Sequence, residues 1–349
     1  MKFGSLFAGV GGFDLGFEAA GGECCWQVEW DKYCQEVLRF RWPNVPKWED
    51  VRDVSGYDLE PVDVITYGFP CQDLSIAGYQ AGLDGERSGL FFEAIRIIKE
   101  MRDATAGEFP KVVVAENVTG LLTSDGGDAM GRCLDALAEA GALVSEWCVL
   151  DAQWFGVPQR RKRVFLASVF DSAIAGRCAD EIFPLAASGA GYPEQVGAQG
   201  EAVAGEVEGG SGVVGSYRML GFGHYTDDNS ASTLKARDYK DATDLVAFVK
   251  AKRAQTAEDT ESWDVDRPAP TLNCFDQGDK RATVLVASDV ALRRLTPVEC
   301  ERLMGWPDDH TLYRADGKRT SDSQRFKMCG NGVVAPVSNW VAKQIEVLL

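Results

Sequence analysis

Short apolar runs alternate with amphipathic segments along residues 1–170. Over 90–101, apolar side chains recur every three or four positions, which is typical of a helix with one buried face. The apolar runs predict strands over 2–7, 24–28, 62–67, 111–115 and 163–169. The amphipathic segments predict helices over 13–20, 31–41, 90–101, 129–140 and 337–349. Because strands and helices alternate, we predict an α/β fold whose parallel sheet carries helices on both faces.

The pattern changes beyond residue 170. The stretch 186–216 contains nine glycines, four glutamates and neither lysine nor arginine, a composition that predicts a flexible loop. Downstream, segment 231–247 is similar to segment 269–287, and two such copies favour a pair of β-hairpins. We therefore predict a first domain formed by 1–170 plus 321–349 and a smaller, mostly β second domain formed by 171–320.

Composition argues against several classes of protein and site. The chain of 349 residues has a formal net charge of −17, which argues against a generally basic nucleic-acid binder, although a local cluster of arginines can still contact phosphates. Its ten cysteines include no Cys-x-x-Cys pair and it has two histidines, so we expect no metal. Since no apolar run suits a membrane span or a signal peptide, we expect a cytoplasmic protein with reduced thiols.

A glycine-rich turn separates the first predicted strand from the first predicted helix. Its sequence, Phe7-Ala8-Gly9-Val10-Gly11-Gly12, allows close backbone approach to a ligand, and the following helix N-terminus favours an anionic group. Glu29 lies 20 residues after Gly9, at the end of the second strand, where a carboxylate can accept hydrogen bonds from both ribose hydroxyls. Taken alone, the turn fits a nucleotide site and a ligand-free tight turn equally well.

Three further motifs lie at or beside predicted strands. Cys71 follows the strand 62–67, where a thiolate can act as a nucleophile, although a lone cysteine is more often a buried free thiol. Glu116 follows the strand 111–115, where it can either protonate a substrate nitrogen or face solvent. The run 159–163 is the densest basic segment and suits either an anion contact or a solvated surface.

Together and in this order, the motifs resemble those of the DNA (cytosine-5)-methyltransferase family over most of the chain. The matching segments are Leu6-Phe7-Ala8-Gly9-x-Gly11-Gly12-Phe13, Glu29-Trp30-Asp31, Asp50-Val51, Pro70-Cys71-Gln72, Arg87-Ser88-Gly89-Leu90-Phe91, Glu116-Asn117-Val118, Gln159-x-Arg161-x-Arg163, 294–307 and Gly330-Asn331-Gly332-Val333-Val334. The resemblance implies a Rossmann-like S-adenosylmethionine-dependent methyltransferase sheet with a smaller target recognition domain. Two departures lie near the expected donor site: Ser5 stands where many members have Asp, and Gly332 where Ser is usual.

The resemblance also implies how the target base is handled. Cys71 would add to C6 of a cytosine flipped out of double-stranded DNA, and this addition activates C5 for methylation. Glu116 would hold or protonate N3, whereas Arg161 and Arg163 would fix O2 and the neighbouring phosphates. Ser75 and Gln159 are further expected DNA contacts, and the segment 71–89 would close over the DNA.

The implied methyl donor is S-adenosylmethionine. Phe7 would face its adenine, Asp50 the adenine amino group and Glu29 the ribose. The donor-binding residues that the resemblance implies are Phe7, Gly9, Val10, Gly11, Gly12, Glu29, Trp30, Asp50, Val51, Pro70, Leu90, Asn331 and Val333.

Sequence readout is expected in the target recognition domain. The copy 269–287 lies just upstream of Arg293-Arg294-Leu295, where the family has a base-reading loop. Asn and Gln suit adenine, and Arg and Lys suit guanine or phosphate. The predicted DNA contacts are Thr271, Asn273, Gln277, Lys280 and Arg281 in this copy and Lys235, Arg237 and Lys240 in the first, each of which is also compatible with a solvated loop.

Other classes account for fewer of these motifs. A NAD-dependent dehydrogenase needs only the glycine loop and Glu29. A tRNA cytosine-5 methyltransferase usually carries Cys-Phe-Thr, whereas Asp276 follows Cys274-Phe275 here. An inactive DNA-binding regulator has no need of Cys71, and a thymidylate-type enzyme leaves the recognition region unexplained. We expect a monomeric modification enzyme of a bacterial or phage-infected cell, with any restriction endonuclease as a separate protein.

Overall fold

The computed structural model describes residues 1–69, 89–177, 182–183 and 296–349, together with the backbone of five strands between residues 216 and 264. The strands are β1 (Lys2–Leu6), β2 (Glu23–Val28), β3 (Lys47–Trp48), β4 (Val64–Tyr67), β5 (Val112–Val118), β6 (Val144–Asp151), β7 (Lys162–Val169), β8 (Ser216–Gly221), β9 (His224–Thr226), β10 (Leu245–Val246), β11 (Val249–Lys252) and β12 (Ser262–Asp264). The described helices are α1 (Gly12–Ala19), α2 (Lys32–Arg41), α3 (Leu90–Ala104), α4 (Asp128–Glu139), α5 (Ser172–Arg177), α6 (Pro297–Leu303), α7 (Asp322–Asn331) and α8 (Ala335–Leu348).

Seven strands form one mixed sheet in the order β3-β2-β1-β4-β5-β7-β6. The five strands β1 to β5 run parallel, but β7 pairs antiparallel with both β5 and β6. The prediction of a purely parallel sheet is therefore wrong at this end, and β6 was not predicted. β6 lies at the edge of the sheet with alternating partly buried and exposed residues, so its apolar signal is weaker than that of the central strands.

Helices cover both faces of the sheet, as predicted. Successive residues of β5 point to opposite faces, so Val112 and Val114 belong to one core and Val113 and Ala115 to the other. The first core contains residues of α1, α6 and α8, and the second contains residues of α3 and α4. The carboxyl ends of the parallel strands are thereby held in fixed positions between two packed layers.

The segment that begins at Thr296 packs with the sheet domain. Cys300, Leu303 and Trp306 are buried in the same core as α1 and α8, and the His310 ring Nε2 lies 2.7 Å from the backbone carbonyl oxygen of Val10. The predicted division into 1–170 plus 321–349 and 171–320 stays a prediction, although these residues near the end of the second range share the core of the sheet domain. Ile174 of α5, near the start of that range, lies in the same core.

Between residues 216 and 264, the backbone forms two small antiparallel sheets. One has the order β10-β8-β9 and the other pairs β11 with β12. The glycine-rich stretch 186–216 and the copies 231–247 and 269–287 lie almost wholly outside the described residues. A separate target recognition domain thus stays a prediction. In the described part of the chain, no helix has the length and apolar character that a membrane span requires.

A buried ion pair fixes α7 to the preceding segment. The Arg325 guanidinium donates to both oxygens of Glu301, each at 2.9 Å, and to the Thr311 hydroxyl at 3.1 Å. Glu301 is 0% exposed and Arg325 5% exposed. Removing one partner would leave the other charge buried without compensation.

We therefore expect Arg325→Met to lower the free energy of unfolding by about 3–5 kcal/mol, measured by urea denaturation. The matched control is Lys318→Met, which removes an exposed cation paired with Asp316 and should cost less than about 1 kcal/mol. A loss for Arg325→Met no larger than that of the control would contradict the prediction.

Candidate active site

A cavity of about 740 Å³ opens where the parallel strands end. The turns that follow β1 to β4 and the last residues of β5 form one side of it, as expected for ligand sites in α/β sheets. The predicted site residues that line the cavity are Phe7, Gly9, Val10, Glu29, Trp30, Asp50, Val51, Leu90, Glu116, Arg161, Arg163 and Asn331. In the described parts of the chain, no group of three potential metal ligands occurs.

The glycine loop folds tightly after β1. Phe7 has a left-handed backbone with φ of 54°, and Gly11 has φ of 87°. Gly11 also approaches Trp42 so closely that a Cβ atom would lie 2.3 Å from its ring, so glycine is required there. Of the predicted donor residues, Gly11, Gly12 and Val333 do not line the cavity; Val333 backs onto Gly12 and accepts a hydrogen bond from Trp306.

The carboxylate of Glu29 is held by two backbone amides. Gly9 N–H donates to Oε2 and Asp31 N–H donates to Oε1, both at 2.7 Å. Burial raises the pKa of Glu29 to about 7, although both hydrogen bonds oppose this shift. Glu29 can therefore change charge near neutral pH.

A second acidic residue lies across the same end of the cavity. Both oxygens of Asp50 accept hydrogen bonds from the Arg52 guanidinium, with the shortest contact at 2.7 Å, and these bonds lower the pKa of Asp50. The same guanidinium lies 5.5 Å from the centre of the exposed Trp30 ring. Arg52, which the motifs did not indicate, thus links a carboxylate and a flat aromatic surface at the cavity.

Glu116 and Arg163 face each other from the adjacent strands β5 and β7. Arg163 Nε lies 3.1 Å from Glu116 Oε1, and both side chains are at most 15% exposed. Burial raises the pKa of Glu116, and the charges of Arg163 and Arg161 partly oppose that shift. A carboxyl group whose proton is retained to higher pH can donate that proton to a ligand nitrogen.

Asn117 connects this pair to the end of β4. Its amide donates to the backbone oxygen of Phe69 at 3.3 Å, and its side-chain oxygen accepts from Val118 N–H at 2.8 Å. The chain beyond Phe69 enters the segment 70–88, which lies outside the described residues together with the predicted site residues Pro70, Cys71 and Ser75. Phe69, the last described residue before this segment, lines the same cavity as Glu116.

Arg161 lines the cavity, but its guanidinium is used within the protein. It donates to the backbone oxygens of Gly330 at 3.0 Å and Gly332 at 2.8 Å, and the residue is 3% exposed. This burial disagrees with the predicted contact to DNA phosphates and favours a role in holding the loop after α7. Gly332 is required beside it, because a Cβ atom there would lie 2.5 Å from the Trp306 ring.

Gln159 does not line the cavity. It is 0% exposed, and its amide donates to the backbone oxygen of Leu303 at 2.8 Å. The predicted direct DNA contact is inconsistent with this burial, and Gln159 instead anchors α6. The remaining predicted DNA contacts, Lys235, Arg237, Lys240, Thr271, Asn273, Gln277, Lys280 and Arg281, lie outside the described residues.

Ser5 lies beneath the glycine loop rather than in the cavity. Its hydroxyl donates to Asp14 Oδ2 at 3.2 Å and lies 2.9 Å from the Thr66 hydroxyl. Asp14 is fully buried, and burial raises its pKa. α1 therefore brings a carboxyl group next to the position at which many family members carry one.

Three cavity residues on α7 were missed by the sequence analysis, namely Gln324, Lys327 and Met328. Gln324 and Lys327 precede Asn331 at helical spacing, so all three share the face of α7 that lines the cavity. The Lys327 ammonium donates to Asp31 Oδ2 at 2.6 Å. The signal was available in principle, since the spacing of seven between Gln324 and Asn331 predicts a common face.

Fold and site together define an α/β protein whose cavity at the strand ends holds the acid–arginine pair Glu116–Arg163 together with the carboxylates Glu29 and Asp50. The chain matches the C-5 cytosine-specific DNA methylase family over residues 1–347. It therefore belongs to this family, which confirms the family and the class of enzyme predicted from the motifs.

Individual relatives align with nearly the whole of this chain. The chain is 28% identical to a protein of Escherichia phage P1 named DNA N-6-adenine-methyltransferase, in an alignment that covers 99% of this chain and 61% of that protein. It thus spans less than two thirds of the phage protein. It is 27% identical to the Type II methyltransferase M.HhaI of Haemophilus parahaemolyticus, covering 99% of this chain and 94% of the relative. The S. pombe Dnmt2 methyltransferase has a similar fold, with a TM-score of 0.64 at 16% identity over 100% of this chain and 99% of that one.

Proposed function

We propose that this protein transfers a methyl group from S-adenosylmethionine to C5 of a cytosine flipped out of a specific double-stranded DNA sequence, through a covalent bond between Cys71 and C6. The observation that carries the proposal is the buried Glu116–Arg163 pair in the same cavity as Glu29 and Asp50. A proton donor for the cytosine and carboxylates that can bind a nucleoside donor thus line one cavity. Methyl transfer requires the cytosine and the donor to be held close together in this way.

In the base half of the site, the Cys71 thiolate attacks C6 and forms a C–S bond, and the ring electrons move towards N3. Glu116 offsets this charge by donating a hydrogen bond or a proton to N3. Arg163 keeps the Glu116 carboxyl group in place, and it would contact O2 of the base as the family resemblance implies. C5 would then take the methyl group from S-adenosylmethionine, with the S–CH3 bond breaking and S-adenosylhomocysteine leaving. A base would then remove the C5 proton, and the electrons of that C–H bond would expel the Cys71 thiolate and restore the ring.

The donor half of the site fits a nucleoside. Glu29 has oxygens for two ribose hydroxyls, Asp50 can accept from an adenine amino group, and Trp30 offers a flat surface. When bound, S-adenosylmethionine supplies an electrophilic methyl group. The chain's own contribution is orientation: Gly9 N–H holds Glu29 and Arg52 holds Asp50, so neither carboxylate has to be ordered at the moment of binding.

The affinity for S-adenosylmethionine should depend on pH through Glu29. Because the pKa of Glu29 is about 7, the carboxylate is ionised above that pH and gains a proton below it. The ionised form accepts hydrogen bonds from ribose hydroxyls better. We therefore expect the Kd, measured by calorimetry without DNA, to be up to about tenfold higher near pH 6 than near pH 8. Glu29→Gln should bind more weakly and lose this dependence; an unchanged pH profile in that variant would contradict the assignment.

The partners follow from the proposed reaction. Double-stranded DNA is the substrate, and extruding one cytosine costs a few kcal/mol, which protein contacts must offset. We propose that the second domain reads the sequence, that the enzyme acts as a monomer in the cytoplasm, and that any restriction endonuclease is a separate protein.

Product analysis tests the proposal. Purified protein, methyl-labelled S-adenosylmethionine and unmethylated double-stranded DNA of high sequence complexity are incubated, and the DNA is digested to nucleosides. Label in 5-methyldeoxycytidine is the expected result. Label in N6-methyldeoxyadenosine, the product suggested by the name of the phage P1 relative, would overturn the base assignment, and label on tRNA alone would overturn the DNA substrate.

A further inference from the structure

The cavity wall formed by α7 is tied to the turn that holds Glu29. Lys327 reaches across to Asp31, with 2.6 Å between Nζ and Oδ2. Asp31 uses its other oxygen to cap α2, accepting from Tyr33 N–H at 2.9 Å and Cys34 N–H at 3.3 Å. The backbone N–H of Asp31 donates to Glu29. One residue therefore carries both the ion pair and a hydrogen bond to the ribose-binding carboxylate.

Charges around Glu29 act in opposite directions. Besides burial, the negative charge of Asp31 raises the pKa of Glu29, and the positive charge of Lys327 lowers it. The neighbouring cations are engaged elsewhere, since Arg52 is held by Asp50 and Arg163 by Glu116. Besides Glu29, titratable and charged groups line this cavity from five elements. They are Asp31 at the N-cap of α2 and Cys34 on α2; Glu49, Asp50 and Arg52 after β3; Glu116 on β5; Arg161 before β7 and Arg163 on it; and Lys327 on α7.

We propose that Asp31 and Lys327 form a charge-setting pair that acts on Glu29 through their 2.6 Å ion pair and the Asp31 N–H hydrogen bond to Glu29, and that Lys327 is thereby a positioning residue of the donor site. This inference rests on the proposed function, in which Glu29 binds the donor ribose. Because the Lys327 ammonium lies on α7, donor binding also depends on the correct docking of the C-terminal segment. The buried Arg325–Glu301 ion pair stabilises that docking.

The pair offers two substitutions that should act in opposite directions. Lys327→Met removes the cation and leaves the Asp31 charge, so the pH midpoint of S-adenosylmethionine binding should rise by about one unit. Asp31→Asn removes the anion and leaves the Lys327 ammonium, so the midpoint should fall. Asparagine is also a good helix N-cap, so α2 keeps its cap in this variant. A purely structural role of the ion pair predicts the same change in both variants, because both break the same contact.

The experiment measures the Kd for S-adenosylmethionine by calorimetry, without DNA, across neutral pH for the full chain and its variants. Lys327→Arg should restore the wild-type midpoint, and Lys318→Met, which removes an exposed cation outside the cavity, should leave it unchanged. Thermal unfolding of each variant checks that the fold is retained.

The outcomes separate this inference from the function on which it rests. Opposite midpoint shifts support the charge-setting pair. Shifts in one direction, or weaker binding at every pH with an unmoved midpoint, overturn it while leaving the donor assignment intact. A wild-type protein that binds no S-adenosylmethionine, or whose midpoint survives Glu29→Gln, overturns the donor assignment and this inference together.

Discussion

Replacing Cys71 by alanine is expected to lower methyl transfer to DNA by at least about a thousandfold, because no other group would add to C6 and C5 of cytosine would stay unreactive. Binding of S-adenosylmethionine and of DNA should change little, since neither depends on the covalent bond. Initial rates of label transfer to DNA measure the first effect, and calorimetry and DNA titration measure the second.

A trapping experiment tests the covalent bond between Cys71 and C6 directly. DNA in which cytosine is replaced by 5-fluorocytosine blocks loss of the C5 substituent after methylation, so the wild-type protein should stay attached to the DNA through denaturing electrophoresis and Cys71→Ala should not. The matched control is Cys148→Ala, which removes a partly buried thiol on β6, outside the cavity, and should retain activity and trapping. Trapping by Cys71→Ala would show that another residue is the nucleophile.

Glu116→Gln has the second largest expected effect. The amide keeps the shape of the side chain and can still contact Arg163, but it cannot give up a proton to N3. Because general acid catalysis typically contributes about 10²–10⁴-fold, we expect the single-turnover rate of methyl transfer to fall by that factor. The affinity for S-adenosylmethionine should be unaffected, since the proposed donor-binding carboxylates are Glu29 and Asp50.

The control for this substitution is Glu139→Gln, which makes the same chemical change at an exposed position at the end of α4. Its rate should equal that of the wild type. If Glu116→Gln also kept the wild-type rate, Glu116 would be only the ion-pair partner of Arg163, and the proton for N3 would have to come from solvent or from another group.

Much of the sheet domain follows from local sequence. The strands β1, β2, β4, β5 and β7 and the helices α1 to α4 lie within a few residues of their predicted positions, because each buries an apolar stripe or run whose spacing is visible in the sequence. The edge strand β6 was missed because only its last residues, Leu150 and Asp151, are fully buried. The antiparallel direction of β7 was also missed, since a hydrophobic pattern identifies a strand without indicating its neighbour.

Some residues of the candidate site were predictable from the sequence, and others belong to it only through the tertiary structure. Glu29 and Glu116 were predicted because each lies at the end of a predicted strand or just beyond one, and the ends of parallel strands meet at one edge of a sheet. Asp50 was predicted only from the resemblance to the family. Gln159 was predicted as a DNA contact because it begins the basic run, yet the structure buries it against α6. Lys327 was missed because it becomes part of the site only when α7 packs beside the turn after β2.

The sequence alone determined the family, the order of the elements and the residue types at the strand ends, because motifs and periodicity are local properties of the chain. Only the tertiary structure decided which distant side chains share a cavity and how their charges act on one another. Asp31 and Lys327 are 296 residues apart, and their 2.6 Å contact arises from the docking of α7, which no local pattern encodes. The pKa values of Glu29 and Glu116 depend on the same burial and packing, and with them the chemistry that the site can perform.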